Sequence, residues 1–208
     1  MTAPTTYAEL QTEIASYLAR DDLTAKIPNF IKYAEVKMNN DLRIREMIST
    51  GSITTSTSDK FVALPTDFLE LISFNDDLGE PLQALDYEKL QKYQYASSAG
   101  RPEYFTISNR IDFERVDGTS RVFPMRFYKR LNLIADATND VLTNYVQLYL
   151  YGSMLQAAPY IRDKEQLQNY KLFYEEAVTE SNHRAIIHDR KLRTEISTNG
   201  TFNILRGS

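Results

Sequence analysis

The 208-residue sequence contains no cysteine and no tryptophan, and it has only seven glycines and seven prolines. Without cysteine, disulfides, thiolate nucleophiles, iron–sulfur clusters and cysteine-based zinc sites are excluded together, and a reducing site of synthesis fits. The few glycines form neither GxxxxGK[ST] nor GxGxxG, so the usual backbone cradles for ATP or NAD phosphates are missing. No uninterrupted apolar run approaches the ~18 residues that a membrane span requires. The start Met1-Thr2-Ala3-Pro4-Thr5-Thr6 has neither the basic nor the apolar segment of a signal peptide. The expectation is therefore a chain without signal peptide or membrane insertion. An excess of positive charge is lacking too: 24 basic residues stand against 28 acidic ones, a net charge of -4. The average field repels nucleic acid, and tight nonspecific phosphate binding is not expected.

What is present is the composition of a folded globular chain, 42% hydrophobic and 25% charged. The length suffices for one core, or for a helical core with a smaller β lobe, without staples. Tyrosine is abundant, with 14 Tyr beside 10 Phe. Tyr offers large rigid area and a polar tip, which suits protein interfaces as well as half-buried core positions.

Thr6 and Glu9 stand in capping-box spacing ahead of Tyr7, Leu10, Ile14, Tyr17 and Leu18, which predicts a first amphipathic helix ending near Arg20-Asp21-Asp22. A second helix is predicted from about Pro28, with Ile27, Phe30, Ile31, Ala34, Met38 and Leu42 on one face and Lys32, Glu35, Lys37 and Asn39 mostly elsewhere. The two form a helical hairpin. From Ser49 the period becomes two. Residues 51–55 and 61–65 read as a strand pair, and residues 70–74 and 80–83 as a second hairpin around the turn 75–79. A short helix follows from Tyr87 to about Tyr95, then strands at 104–107, 111–114 and 123–127. In the last of these Phe123, Met125 and Phe127 share a face, and Pro124 suggests an edge or a bulge where a neighbour could dock. Residues 142–158 are apolar around most of a helix, the expected centre of the core. After a break at Pro159, a long helix is predicted from Asp163 to about His188, with Leu167, Tyr170, Tyr174, Ala177 and Val178 facing inward. Residues 189–208 lose the apolar period and are expected to be extended or disordered in the free protein.

The fold class is thus α+β, mainly α: a helical bundle core with a β-hairpin or small-sheet insertion and an extended C-terminal tail. One domain spans residues 1–188, its helical core at 5–47 and 140–188 and its β insertion at 49–130, followed by the tail at 189–208.

Catalytic chemistry finds little support. His183 and His188 are five apart, whereas a helical metal pair prefers four, and no HExxH frame surrounds them. Ser153 lies inside an apolar helix with no Gly-x-Ser-x-Gly elbow, and reads as a packing residue. Asp76-Asp77 and Glu175-Glu176 read as turn and solvated-face acids more readily than as a hydrolase dyad. Arg121, Arg126, Lys129 and Arg130, interleaved with Phe127 and Tyr128, could suggest single-strand binding, but a solvated strand end is the simpler reading in an acidic chain. No catalytic residue, metal or cofactor is expected, and the chain is not expected to be an enzyme.

The order of segments is informative. Asp140-Val141-Leu142 followed by Leu148-Tyr149-Leu150-Tyr151-Gly152-Ser153-Met154-Leu155-Gln156-Ala157-Ala158-Pro159-Tyr160 resembles the signature helix of phage head-to-tail (portal) adaptor proteins. Thr6-Tyr7-Ala8-Glu9-Leu10, Ile27-Pro28-Asn29-Phe30-Ile31, Ala34-Glu35, Met38-Asn39 and Leu42-Arg43-Ile44-Arg45-Glu46-Met47 look like that family's opening helices. Leu64-Pro65-Thr66-Asp67-Phe68 and Arg101-Pro102-Glu103-Tyr104-Phe105-Thr106-Ile107 resemble its β segment, so the likeness covers most of residues 5–180.

The resemblance implies a structural virion protein of the neck, made in the host cytoplasm. Copies would form a ring, usually a dodecamer, between the capsid portal and a downstream tail, nozzle or stopper protein, with phage DNA passing through the lumen without sequence-specific binding. Members of the family often reach the portal with a C-terminal segment. Here that role would fall on Arg190, Lys191, Leu192, Arg193, Ile196, Phe202, Ile204 and Leu205. A like-charged lumen would let a polyanion slide. Three rival readings are another neck protein, such as a tail-completion or stopper protein, a DNA-binding packaging factor and, ranked last, a cell-wall hydrolase using two carboxylates. The second would need a helix-turn-helix and a basic balance that the sequence does not show.

Overall fold

A computed structural model describes residues 3–96, 98–132, 138–161 and 164–204, with side chains described to residue 185 except at 96 and 164. In chain order the elements are α1 (Tyr7–Leu18), α2 (Ile27–Asp41), β1 (Ile48–Thr54), β2 (Phe61–Ala63), β3 (Phe68–Phe74), β4 (Gln83–Ala84) and α3 (Tyr87–Ala96). They continue with β5 (Tyr104–Ile107), β6 (Arg110–Phe113), β7 (Val122–Lys129), α4 (Asp140–Asn144), α5 (Val146–Ile161) and α6 (Lys164–Ile204). The chain divides into two compact units, residues 1–47 with 131–208, and residues 48–130. The architecture is α+β and mainly α.

In the helical unit α1 starts where its capping box requires. Thr6 Oγ1 accepts from the Glu9 amide at 3.3 Å, and Glu9 Oε2 accepts from the Thr6 amide at 3.2 Å. Such a cap stabilises a helix by about 1 kcal/mol. The amides and hydroxyl that grip Glu9, the Thr5 amide first, hold its carboxyl below the ordinary range. The link to α2 is itself a 3-10 turn, Asp21–Lys26. The predicted inner face of α2 is confirmed, with Ile27, Phe30, Ile31, Ala34 and Met38 all buried. Both α2 and α6 pack along α5, where Leu148, Tyr149, Met154, Ala157 and Ala158 are buried. Gly152 permits this approach: a Cβ there would lie 3.2 Å from Ala34 Cβ and 3.3 Å from the Tyr174 ring.

Three helix boundaries differ from expectation. The apolar segment 142–158 is not one helix but α4 and α5. Asn139 caps α4 by accepting from the Leu142 amide at 2.7 Å, and Tyr145 leaves the helical region at φ -139, ψ 49. Pro159 does not break the helix; α5 continues one turn-fragment further, to Ile161. A missing N–H near a C-terminus loses a single bond. The end is also held from outside: Tyr160 rests on Phe30 at 5.2 Å and beneath Lys26 at 4.6 Å, and its carbonyl accepts from Arg20. Asp163 lies outside the described residues. Finally, α6 remains helical to Ile204, past the expected end near His188, where an extended tail was the expectation. Arg190, Lys191, Leu192, Arg193 and Glu195 are good helix formers, and a backbone helix needs no apolar face.

The β unit holds two sheets, β1-β7-β3 and β2-β6-β5-β4. Their inner faces share one core, Ile53, Phe74, Phe123, Met125 and Phe127 from the first and Phe105, Ile111 and Phe113 from the second. Phe74 meets Phe105 edge-on at 5.1 Å, and Phe113 meets Phe123 likewise at 6.2 Å. The pairings expected between sequence neighbours are overturned. β1 pairs with β7 and β2 with β6, so residues 51–55 and 61–65 belong to different sheets. The turn at 75–79 does form, closed by an Asn75↔Pro81 bridge, but β3 then joins β7 while β4 runs parallel to β5. Two sheets over one aromatic core bury more than isolated hairpins could.

The proline in β7 is neither at an edge nor in a bulge. β7 is the central strand of its sheet, and Pro124 pairs in regular register with Ser52. Its carbonyl accepts from the Asn75 amide at 3.1 Å, just beyond the last β3 pair, Phe74↔Met125. The absent N–H therefore falls at the final rung, where it costs one ladder bond.

Candidate functional site

Each unit has a polar framework that fixes its elements. On α2, Glu35 is buried, only 4% exposed, although sequence periodicity placed it mostly off the core face. Its Oε1 accepts from the Tyr149 hydroxyl at 2.9 Å, and that hydroxyl accepts from Asn139 Nδ2 at 2.8 Å. Asn139 also caps α4, so one chain of bonds joins α2, α5 and the start of α4. Burial first, and the Glu35 charge second, push the Tyr149 phenol well above the ordinary 10.0. Burial and Glu35 also raise Tyr7. A second chain of bonds anchors α6. The Tyr174 hydroxyl donates to Asp41 at 3.1 Å, Lys37 reaches the same carboxylate at 3.0 Å, and Asn182 bridges the Asp41 carbonyl and the Arg43 amide. Burial and Asp41 push the Tyr174 phenol up in turn. Phenols held this firmly protonated are structural donors, not acids or bases poised for transfer.

The β unit repeats the theme with carboxylates. Asp76 Oδ1 accepts from the amides of Leu78 and Glu80, both at 2.9 Å, and so shapes the turn. Arg101 spans Asp76 at 3.4 Å and Asp77 at 3.2 Å. Asp117 is fully buried between Thr55 and Arg121. Glu114, also fully buried, accepts from the amides of Glu103 and Tyr104 and from Arg115.

The residues weighed for chemistry are therefore not brought together. Asp76-Asp77 is a turn clamp. Glu175 and Glu176 are exposed on α6, and Glu175 forms a loose pair with Lys171 at 3.8 Å. Ser153 is fully buried, and its Oγ has no hydrogen-bond partner among the described residues, as a packing residue would be. His183 is exposed beside Glu180, while the side chain of His188 lies outside the described residues. Among the described residues no group of three His, Asp or Glu could hold a metal. Of the basic cluster, Arg121 is engaged by Asp117 and Asp77, and Arg130 by the Phe68 carbonyl, so no continuous free stripe remains for a nucleic-acid strand. Among the described residues no helix is long and apolar enough to cross a membrane.

Several tyrosines face outward. Only Tyr149 and Tyr174 are buried tyrosines, whereas Tyr17, Tyr33, Tyr87, Tyr93 and Tyr160 stand about half exposed and Tyr95 is 93% exposed. Tyr93 stacks on Tyr104 at 4.8 Å. The proposed docking residues Arg190, Lys191, Leu192, Arg193, Ile196, Phe202 and Ile204 lie on the helical backbone of α6, but their side chains, and all of Leu205, are outside the described residues. Sequence reasoning missed Glu35, although the spacing from Ile31 (i+4) and to Met38 (i+3) puts it on the buried arc.

The buried Glu35, Asp117 and Glu114 bond within the chain's own units, and six of the fourteen tyrosines are exposed. The chain belongs to the SU10 adaptor protein family, which matches residues 5–195, and thus has a structural adaptor role in a phage particle. The head-to-tail adaptor resemblance is correct at that level. No curated protein matches the chain.

Proposed function

We propose that this chain forms a ring, of twelve copies by the family resemblance, that joins the capsid portal to the downstream tail or nozzle protein in the virion neck, and that it has no enzymatic activity. The observation that carries the reading is the family match over residues 5–195, which takes in both compact units and most of α6. Several features support it. A closed ring needs a heterologous interface, and half-exposed tyrosines are suited to one. A net charge of -4 disfavours retention of a polyanion passing through a lumen. α6 runs on to Ile204, and residues 189–208 supply basic and apolar side chains in sequence, the material of a portal-docking arm.

The test is electron microscopy of the purified chain mixed with its cognate portal. Rings of the chain stacked coaxially on one end of the portal are expected. Attachment only in the presence of a second tail protein would assign the chain to a stopper or tail-completion position instead.

A further inference from the structure

β1 is an edge strand of the sheet β1-β7-β3, and its antiparallel ladder to β7 runs unbroken from Ile48↔Tyr128 to Thr54↔Val122. Along an antiparallel strand, backbone groups point alternately to one side and the other. The Asn75 amide donates to the Pro124 carbonyl at 3.1 Å, so Pro124 turns its polar groups toward β3 and its partner Ser52 turns away from β7. The Thr55 amide donates to the Arg121 carbonyl at 2.9 Å, which fixes the same alternation from the other end. Ile48, Thr50, Ser52 and Thr54 therefore direct their N–H and C=O groups off the edge, and Thr50, Ser52 and Thr54 are exposed.

Natural sheets defend such edges with charge, proline, bulges or brevity. The other edges of this unit are defended. β3 has two register shifts and carries Glu70, and its Phe74 carbonyl is taken by the Leu82 amide. β2 has three residues and β4 has two. β1 has seven residues, Ile-Ser-Thr-Gly-Ser-Ile-Thr, with no charge, no proline and no register shift.

We infer that β1 is a docking edge for a second copy of this chain, pairing antiparallel with the same strand of that copy about a two-fold axis at Gly51. Length and charge select this occupant. Among the edges of the β unit, β1 itself is the one of equal length and regular register that another copy can offer. A strand without charges can face itself without repulsion. About Gly51, Thr50 meets Ser52 of the partner subunit and Ile48 meets Thr54 of the partner subunit. Every outward residue then meets an outward residue, and at the two Thr50–Ser52 pairs a hydroxyl residue faces a hydroxyl residue across the seam. This contact is isologous, so neighbours related by rotation about a ring axis do not make it. It is a state of the free chain and does not rest on the proposed function.

Sedimentation equilibrium of the full chain over a concentration series tests it. The expected result is growth from 24.0 kDa toward twice that mass. Ser52→Pro should abolish the growth while keeping the circular dichroism spectrum, because the N–H it removes points away from β7. Two further variants keep the test decisive should that one misfold. Thr50→Lys/Ser52→Lys and Thr50→Glu/Ser52→Glu should each stay monomeric, and their mixture should dimerise. The inference is overturned by a wild-type chain that stays at 24.0 kDa throughout. It is equally overturned by association, dimeric or larger, that is unchanged in these variants, or by charge variants that fail to pair when mixed.

Discussion

Tyr149 shows at the scale of one residue how the helical unit is specified. Its ring is fully buried on α5 and its hydroxyl is shared between Asn139 and Glu35. Tyr149→Phe keeps the packing but strips a partner from a buried carboxylate, so we predict a loss of roughly 1–3 kcal/mol in denaturant unfolding. Tyr149→Asp buries a second acid beside Glu35 and should cost roughly 3–5 kcal/mol; an unchanged melting temperature would refute the placement of this residue in the core. The pH dependence follows from the same group. The phenols of Tyr149 and Tyr174 hold their protons above the ordinary value of 10.0 that they take when unfolded. The folded state thus binds these protons more tightly. That contribution is fully present below pH 10 and is lost as the pH rises above it. Wild-type melting temperature should fall more steeply above pH 10 than that of the Tyr149→Phe/Tyr174→Phe variant.

At the scale of elements, Gly152 decides how closely α2, α5 and α6 approach. Ala34 Cβ and the Tyr174 ring would lie 3.2 Å and 3.3 Å from any added Cβ. Gly152→Val should destabilise the chain by roughly 1–3 kcal/mol by thermal or denaturant unfolding despite its better helix propensity, because both neighbours are in packed helices. The helices were legible in the sequence because amphipathic period and capping are local: Thr6 and Glu9 marked the start of α1, and α2 buries the face its spacing predicted. The break at Tyr145 was not, since no glycine or proline stands there to mark it. Strand existence was legible from alternation, as in Phe123, Met125 and Phe127, but partner choice was not. β1 finds β7 some seventy positions away because the shared aromatic core, not the nearest turn, decides the pairing. The same reason placed Pro124 in a central strand. Of the candidate surfaces, the abundance of Tyr was visible in composition, whereas the open β1 edge required the register.

For the whole molecule, the family match spans both compact units and reaches residue 195 on α6. Deleting residues 189–208 should leave the melting temperature of the remaining chain within a few degrees of wild type and abolish attachment to the portal, as read by co-sedimentation. Normal attachment of the truncated chain would remove the docking arm from the account. The adaptor role itself is tested most directly by the solution mass from light scattering, taken for the chain alone and after mixing with its cognate portal. The expected result is a saturable complex that adds one multi-copy ring of 24.0 kDa subunits to each portal. A portal that elutes at its own mass in the presence of excess chain would contradict it.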